Sequence, residues 1–299
     1  MSYADRIRAE LCEVTVKKPC CERALLLGLF ADAVCSEKTV TLTLRGEEIA
    51  DFVESVMKKR FKNADVVREG LTVGGRRVCK LTVASPAALR LIELLATVAR
   101  SQNAEPSAAL GLACEGCRSA FLRGAFLASA TVNDPRRSIH AELSFHLEAS
   151  ADLLAAFLSE EGYPPRRVTR KNAYGVYYKD GNSAEYILAL AGASRMSMDM
   201  MNVRIEREIR NQENRATNCV AKNIEKSVSA AARQMAAIEK LTLSGMLAQL
   251  PEAIRYTALL RAENPDATLE ELRLLHDPPI TKSGLNHRLQ KIIEQGEKI

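Results

Sequence analysis

Thirteen residues from Cys21, CERALLLGLFADA, return 96 positions later, from Cys117, as CRSAFLRGAFLAS. At that constant offset Cys21 falls on Cys117, Ala24 on Ala120, Leu26 on Leu122, Gly28 on Gly124 and Phe30 on Phe126. A chain built this way holds two copies of one unit, each carrying the same helix, apolar on most of its faces. Glycines set among Ala, Leu and Phe let two such helices approach closely. Gly28, Phe30, Gly124 and Phe126 are therefore expected to form the contact between the repeat helices, side by side on a pseudo-two-fold axis.

One order of elements follows each copy. In the first, Thr39 to Arg45 alternates with period two and predicts a strand. Ile49, Phe52, Val53, Val56 and Met57 then recur at helical spacing. Val66, Val67 and the run VCKLTVA predict two strands around a Gly74-Gly75 turn, and Pro86 opens another helix. In the second, a helix over 118–130 is followed by the turn Asn133-Asp134-Pro135. HAELSFHLE then predicts a strand with Ala141, Leu143, Phe145 and Leu147 on one side. A helix closing at Gly162, strands over 166–169 and 174–178 and a helix over 182–193 complete the copy. The expected fold is α+β: a duplicated unit whose two sheets flank the axis as a saddle of a size suited to duplex nucleic acid.

Composition narrows the function by exclusion. The chain has 299 residues and a net charge of +5, which permits a polyanionic partner without demanding one. No apolar run reaches the roughly 18 residues a membrane span needs. The opening MSYADRIRAELCEVTV is charged and amphipathic with no apolar signal-peptide region, so a cytoplasmic protein is expected, with no membrane or small-molecule partner. Eight cysteines in such a chain read as reduced thiols. Cys114 and Cys117 have zinc-like spacing, but the second pair would be Cys20 and Cys21, whose adjacency makes them hard to aim at one ion. Cys21 and Cys117, the repeat partners, are expected to pack at a helix start, with no metal and no cofactor. His140 and His146 share a strand's parity but lack a third ligand. No nucleophile arrangement or phosphate-cradling glycine loop appears, so no catalytic residue is assigned.

Beyond residue 200 the text changes. A stretch of forty residues almost free of breakers carries seven basic against four acidic side chains between 202 and 233. Asn is a poor helix-interior residue, so Asn211 and Asn214 among Arg204, Arg210 and Arg215 predict contacts with phosphates or bases. A solvated linker laced with ion pairs is the alternative. Leu247 to Leu260 then reads as a helix with Pro251 in its opening turn. Thr268 with Glu271 forms a capping box for a second helix. A third, basic helix starts near Thr281, with Leu285, Leu289, Ile292 and Ile293 facing inward. Its polar N-terminal residues Lys282, Ser283, Asn286, His287 and Arg288 are the expected DNA contacts of a helix-turn-helix. Four segments result: repeat halves over 1–105 and 106–200, a connecting helix over 201–243, and a helix-turn-helix domain over 244–299.

LLGLFADA and LRGAFLAS resemble degenerate forms of the LAGLIDADG signature of homing endonucleases. In that family an acid near the helix end holds the metal that cleaves DNA. Matching Gly28 and Gly124 to the family glycine puts Ala33 and Ser129 at that position, with Asp32 one residue off. The resemblance implies a scaffold without the carboxylates that metal-assisted cleavage needs. From end to end, the repeats, then RNQENRATNC, then DPPITKSGLNHRLQKI resemble the WhiA family of bacterial regulators, with GAFLASATVNDP a further strong match. One departure is Ile139-His140-Ala141-Glu142 where the family carries Tyr-His-Leu-Glu. The resemblance implies a DNA-binding transcription regulator of sporulation, or of cell division and chromosome segregation. It also implies duplex DNA and another transcription or cell-division protein as partners; a monomer is favoured. A metal-dependent endonuclease and a nucleic-acid-binding scaffold of division are the alternatives.

Overall fold

A computed structural model describes residues 2–73, 75–101 and 105–299. The chain runs α1 (Tyr3–Glu13), α2 (Pro19–Phe30), β1 (Val34–Cys35), β2 (Val40–Arg45), α3 (Glu47–Arg60), β3 (Val66–Val73), β4 (Arg76–Val83), α4 (Pro86–Arg100) and α5 (Pro106–Ala109). The order then repeats as α6 (Glu115–Ser129), β5 (Ala130–Val132), β6 (Ala141–Phe145), α7 (Glu148–Glu160), β7 (Arg166–Arg170), β8 (Ala173–Tyr178) and α8 (Gly181–Ala191). The helices α9 (Ser194–Leu243), α10 (Glu252–Glu263), α11 (Leu269–Leu274) and α12 (Lys282–Gly296) complete the chain. The chain divides into two compact units, Met1–Arg207 and Glu208–Ile299.

The first unit holds two antiparallel sheets of identical topology, β1-β2-β4-β3 and β5-β6-β8-β7. Alternation settles which face is core. Val40, Leu42 and Leu44 are paired with Val83, Leu81 and Cys79, and all six are buried. Their counterparts Ala141, Leu143 and Phe145 pair with Tyr178, Val176 and Tyr174. Between the sheets' inner faces lie α2 and α6. Leu25, Leu26, Leu27 and Leu29 are fully buried, as are Cys117, Leu122 and Ala125. This enclosure explains why both helices are apolar all round rather than striped.

The start of the chain has a structural task that its charge pattern does not announce. Glu10, on the buried side of α1, accepts the backbone N–H groups of Arg195 and Met196 at 2.7 and 2.9 Å. It thereby satisfies free amides at the start of α9, where a carboxylate also complements the helix dipole. Tyr3 donates its hydroxyl to the Met196 carbonyl at 3.0 Å.

Three local expectations differ from the structure. Leu147 does not continue the β6 face; it caps α7 and is 61% exposed. Asp32 accepts both the backbone N–H and the ring nitrogen of His146, at 2.9 and 3.0 Å, and holds the chain off the ladder there. His146 is therefore outside the strand. Pro251 does not sit inside a helix over 247–260: Met246–Gln249 is a 3-10 turn and Pro251 is the N-cap of α10. A residue before proline is pushed to extended backbone, and Leu250 has ψ 151°. Of the Gly74-Gly75 turn, Gly74 lies outside the described residues, and Gly75 has φ +77°. Among the described residues no helix is long and apolar enough to cross a membrane.

Candidate nucleic-acid interface

The repeat helices meet backbone to backbone. A β-carbon built on Gly28 falls 1.9 Å from the Phe121 carbonyl oxygen, and one on Gly124 falls 2.1 Å from that of Leu25. The clash is reciprocal, as a pseudo-two-fold crossing requires. Phe30 and Phe126 are buried, and Phe30 stacks on Phe61, outside the two helices, with ring centroids 6.4 Å apart. Among the described residues no carboxylate pair converges at the ends of these helices. Ala33 packs on the core, Ser129 donates its hydroxyl to the Ala125 carbonyl, and Asp32 is spent on His146.

The outer face of the second sheet is closed by an internal network. Glu142, 6% exposed, accepts two hydrogen bonds from Arg170 and one from the Ser144 hydroxyl at 2.7 Å. The His140 ring lies 2.9 Å from its other oxygen. Arg170 above all, with Ser144 and His140, holds the Glu142 carboxyl down to about 2 against the upward push of burial. The folded value lies below the unfolded one, so this stabilisation is complete above the ordinary carboxylate range and fades as pH falls toward 2. Glu142→Gln is expected to cost about 2 kcal/mol at neutral pH, discounted because Arg170 is half-exposed. Denaturant titrations should show the gap to the parent narrowing from pH 5 toward pH 2.

The basic stretch of α9 separates into two kinds of arginine. Arg204 is paired with Glu185 through two bonds of 2.8 and 3.0 Å, and Arg207 donates to the Pro135 carbonyl at 2.9 Å. Both anchor the helix to the first unit. Arg210, Asn211, Asn214 and Arg215 are exposed. On the helix turn of 100° per residue Asn211, Asn214 and Arg215 share a face with Asn218 and Lys222, and Arg210 lies at its edge beside Val228. Ile209, Val220, Ile224 and Val228, each more than half exposed, form the opposite stripe. The stretch thus carries an apolar stripe although every residue from Ile205 to Ser229 is exposed.

The second unit is built around Ala237, Ile238 and Leu241 of α9, with Ala258, Leu272, Leu285, Leu289 and Ile292 from the following helices. The last turns of α9 thus belong to this core. Thr268 and Glu271 close a reciprocal capping box on α11, and the Thr281 hydroxyl caps α12 by accepting the Gly284 N–H at 3.1 Å. Between α11 and α12 the buried His276 ring bridges the Leu272 carbonyl and the Thr257 hydroxyl, each at 3.0 Å. With Leu285, Leu289 and Ile292 turned inward, Lys282, Ser283, Asn286 and His287 are left exposed on α12. Arg288 differs: it is half-buried in the wall of a groove of about 560 Å³ and reaches the Ala253 carbonyl at 3.3 Å. Residues 244–299 carry seven Lys and Arg against eight Asp and Glu. Residues 244–299 are thus not basic as a body, and within them α12, with Lys282, Arg288 and Lys291 against Glu294, is the net-positive helix.

Comparison with known proteins agrees with this layout. Residues 118–210 match the family model of the WhiA LAGLIDADG-like domain, and residues 214–295 that of the WhiA C-terminal HTH domain. The "Probable cell division protein WhiA" of Carboxydothermus hydrogenoformans is 33% identical, over 100% of this chain and 98% of its own. The chain belongs to the WhiA family. The crystal structure of full-length DUF199/WhiA from Thermatoga maritima, 23% identical, superposes with a TM-score of 0.61 over 100% of this chain and 98% of that one. That of the N-terminal LAGLIDADG domain of DUF199/WhiA gives 0.51 at 19% identity, over 64% and 92%. At these identities the two structures establish the WhiA fold: a duplicated α+β domain followed by a helical HTH region.

Sequence reading passed over three residues that hold this WhiA chain's candidate interface in place. His276 and Thr257 fix the turn ahead of α12, and Glu10 seats α9. His276 and Thr257 form a pair 19 residues apart, and Glu10 reaches its partners over more than 180 residues. No local pattern carries such contacts.

Proposed function

We propose that this protein is a DNA-binding transcription regulator without nuclease activity, and that α12 reads duplex DNA. The observation that carries this reading is the exposed row Lys282, Ser283, Asn286 and His287 at the N-terminal end of a helix whose other side is locked into a core. Such a row can enter a major groove without distorting the fold. Arg210, Asn211, Asn214 and Arg215 add backbone-positioning groups on α9. Cell division or sporulation is the process in which a regulator of this family would act, and nucleoid association would follow from the DNA contact.

Salt titration of binding to duplex DNA tests the role of α12. Lys282→Ala is expected to weaken binding on all sequences and to reduce the slope of log K against log salt by about one. Asn286→Ala should leave that slope intact and relax selectivity at one base position. Unchanged slope and selectivity in both variants would remove α12 as the reader. Arg204→Ala is expected to act through stability, because its guanidinium is engaged with Glu185.

The stripe Ile209, Val220, Ile224 and Val228 favours a protein partner as a second reading, alongside DNA rather than instead of it. Placing Arg at Ile224 would abolish partner capture while sparing DNA affinity.

A further inference from the structure

Cys20 and Cys21 were expected to be too close in sequence to aim at one ion. The structure places them otherwise. Both lie in the first turn of α2, while Cys114 is the N-cap of α6 and Cys117 lies in its first turn. The two helix starts come together across the pseudo-two-fold axis, and their four sulfurs converge. The Sγ–Sγ separations are 4.0 Å for Cys20–Cys21, 3.9 Å for Cys20–Cys114, 3.6 Å for Cys21–Cys114, 3.9 Å for Cys21–Cys117 and 3.3 Å for Cys114–Cys117. All four atoms lie within 4.8 Å of one another.

We infer that these four cysteines form a tetrathiolate site for one zinc ion, joining the two repeats at the starts of their central helices. Four thiolates at ~2.3 Å from a central zinc define a tetrahedron with edges of about 3.8 Å, and the separations here bracket that value. No pair is at bonding distance for a disulfide, and all eight cysteines are free. An iron–sulfur cluster needs several irons and sulfides among its thiolates; sulfurs this close enclose one ion. Among the described residues this is the single group of His, Cys, Asp and Glu side chains drawn together in this way.

The surroundings fit an ion. Cys117 and Cys21 are buried, Cys114 is half-buried and Cys20 is exposed, so the site is walled on the core side and open at one edge. Gly116 leaves it room, since a β-carbon there would stand 3.1 Å from the Cys21 sulfur. Zinc binding would release up to four thiol protons to solvent and leave a dianionic centre. The positive ends of α2 and α6 both terminate at that centre and offset its charge. Ligands from opposite repeats are 93 to 97 residues apart, so the ion would tie the repeats together much as a long-range cross-link does.

The test uses the full chain, purified under reducing conditions. Metal analysis should find one zinc per chain, released on titration of the thiols with a mercurial. Cobalt(II) in place of zinc should give the intense red-region bands and sulfur-to-metal charge transfer of a tetrahedral tetrathiolate. Because Cys20 is exposed, Cys20→Ser should fold, lower zinc affinity about tenfold or more and shift the cobalt spectrum to a three-sulfur pattern. A reduced chain that holds no bound zinc and in which all eight thiols titrate would overturn the proposal. So would six-coordinate cobalt spectra, or a Cys114–Cys117 disulfide in protein from reducing cells. None of these three results bears on DNA reading by α12.

Discussion

Replacing Gly124 with alanine is expected to destabilise the first unit by about 4 kcal/mol, beyond the usual 1–3 kcal/mol of an overpacked core. The reason is what the new methyl would meet. It would fall 2.1 Å from the Leu25 oxygen and 2.7 Å from the Leu29 nitrogen, both backbone atoms of the opposite helix. A side chain can turn aside, but these atoms can yield only if α2 and α6 separate along their whole contact. Gly28→Ala should cost a similar amount through the Phe121 carbonyl. Gly70→Ala is the control: no atom lies within 4 Å of its built β-carbon, so stability should change by less than about 0.5 kcal/mol. Denaturant unfolding of the three variants measures this. Near-neutral Gly28→Ala and Gly124→Ala would mean that the helices do not cross as described.

Removal of Glu208–Ile299 is expected to abolish selective DNA binding, lowering affinity for a preferred duplex by about 10³ or more, to the non-specific level. The remaining residues 1–207 contain both sheets and the whole first core, and should stay folded. Cutting at residue 243 is the poorer experiment, because Ala237, Ile238 and Leu241 would be left with their apolar sides uncovered. Fluorescence anisotropy on matched and scrambled duplexes decides the outcome. Retained selectivity in 1–207 would transfer the reading role to the sheet surfaces.

What could be read without coordinates was whatever repeats or caps locally. The offset pairing of Gly28 with Gly124 marked the crossing of the central helices, because small residues in an apolar helix leave few other uses. Thr268 and Glu271 marked the start of α11, because a capping box is a three-residue chemical pattern. Leu147 and Pro251 misled for one reason: periodicity says which face a residue would take if the element continued. It does not say that Asp32 will intercept the chain at His146, or that Leu250 will turn extended before a proline. Arg204 and Arg210 look alike in sequence, and only the approach of Glu185 separates an anchor from an exposed cation.

The cysteines show the division most sharply. Their identities, the C-x-x-C spacing and the repeat offset were written in the chain, and so was the duplication that makes the fold. Whether Cys20 and Cys21 can share an ion with Cys114 and Cys117 depends on where two helix starts lie across a symmetry axis. That placement is set by the backbone contact at Gly28 and Gly124. The sequence by itself determined the repeat, the α+β order and the helix-turn-helix ending, because each rests on spacing within a few residues. The tertiary structure alone decided which charges anchor, which polar residues are left exposed on α12 and where four sulfurs converge. Those follow from contacts between segments about a hundred residues apart, which no local pattern encodes.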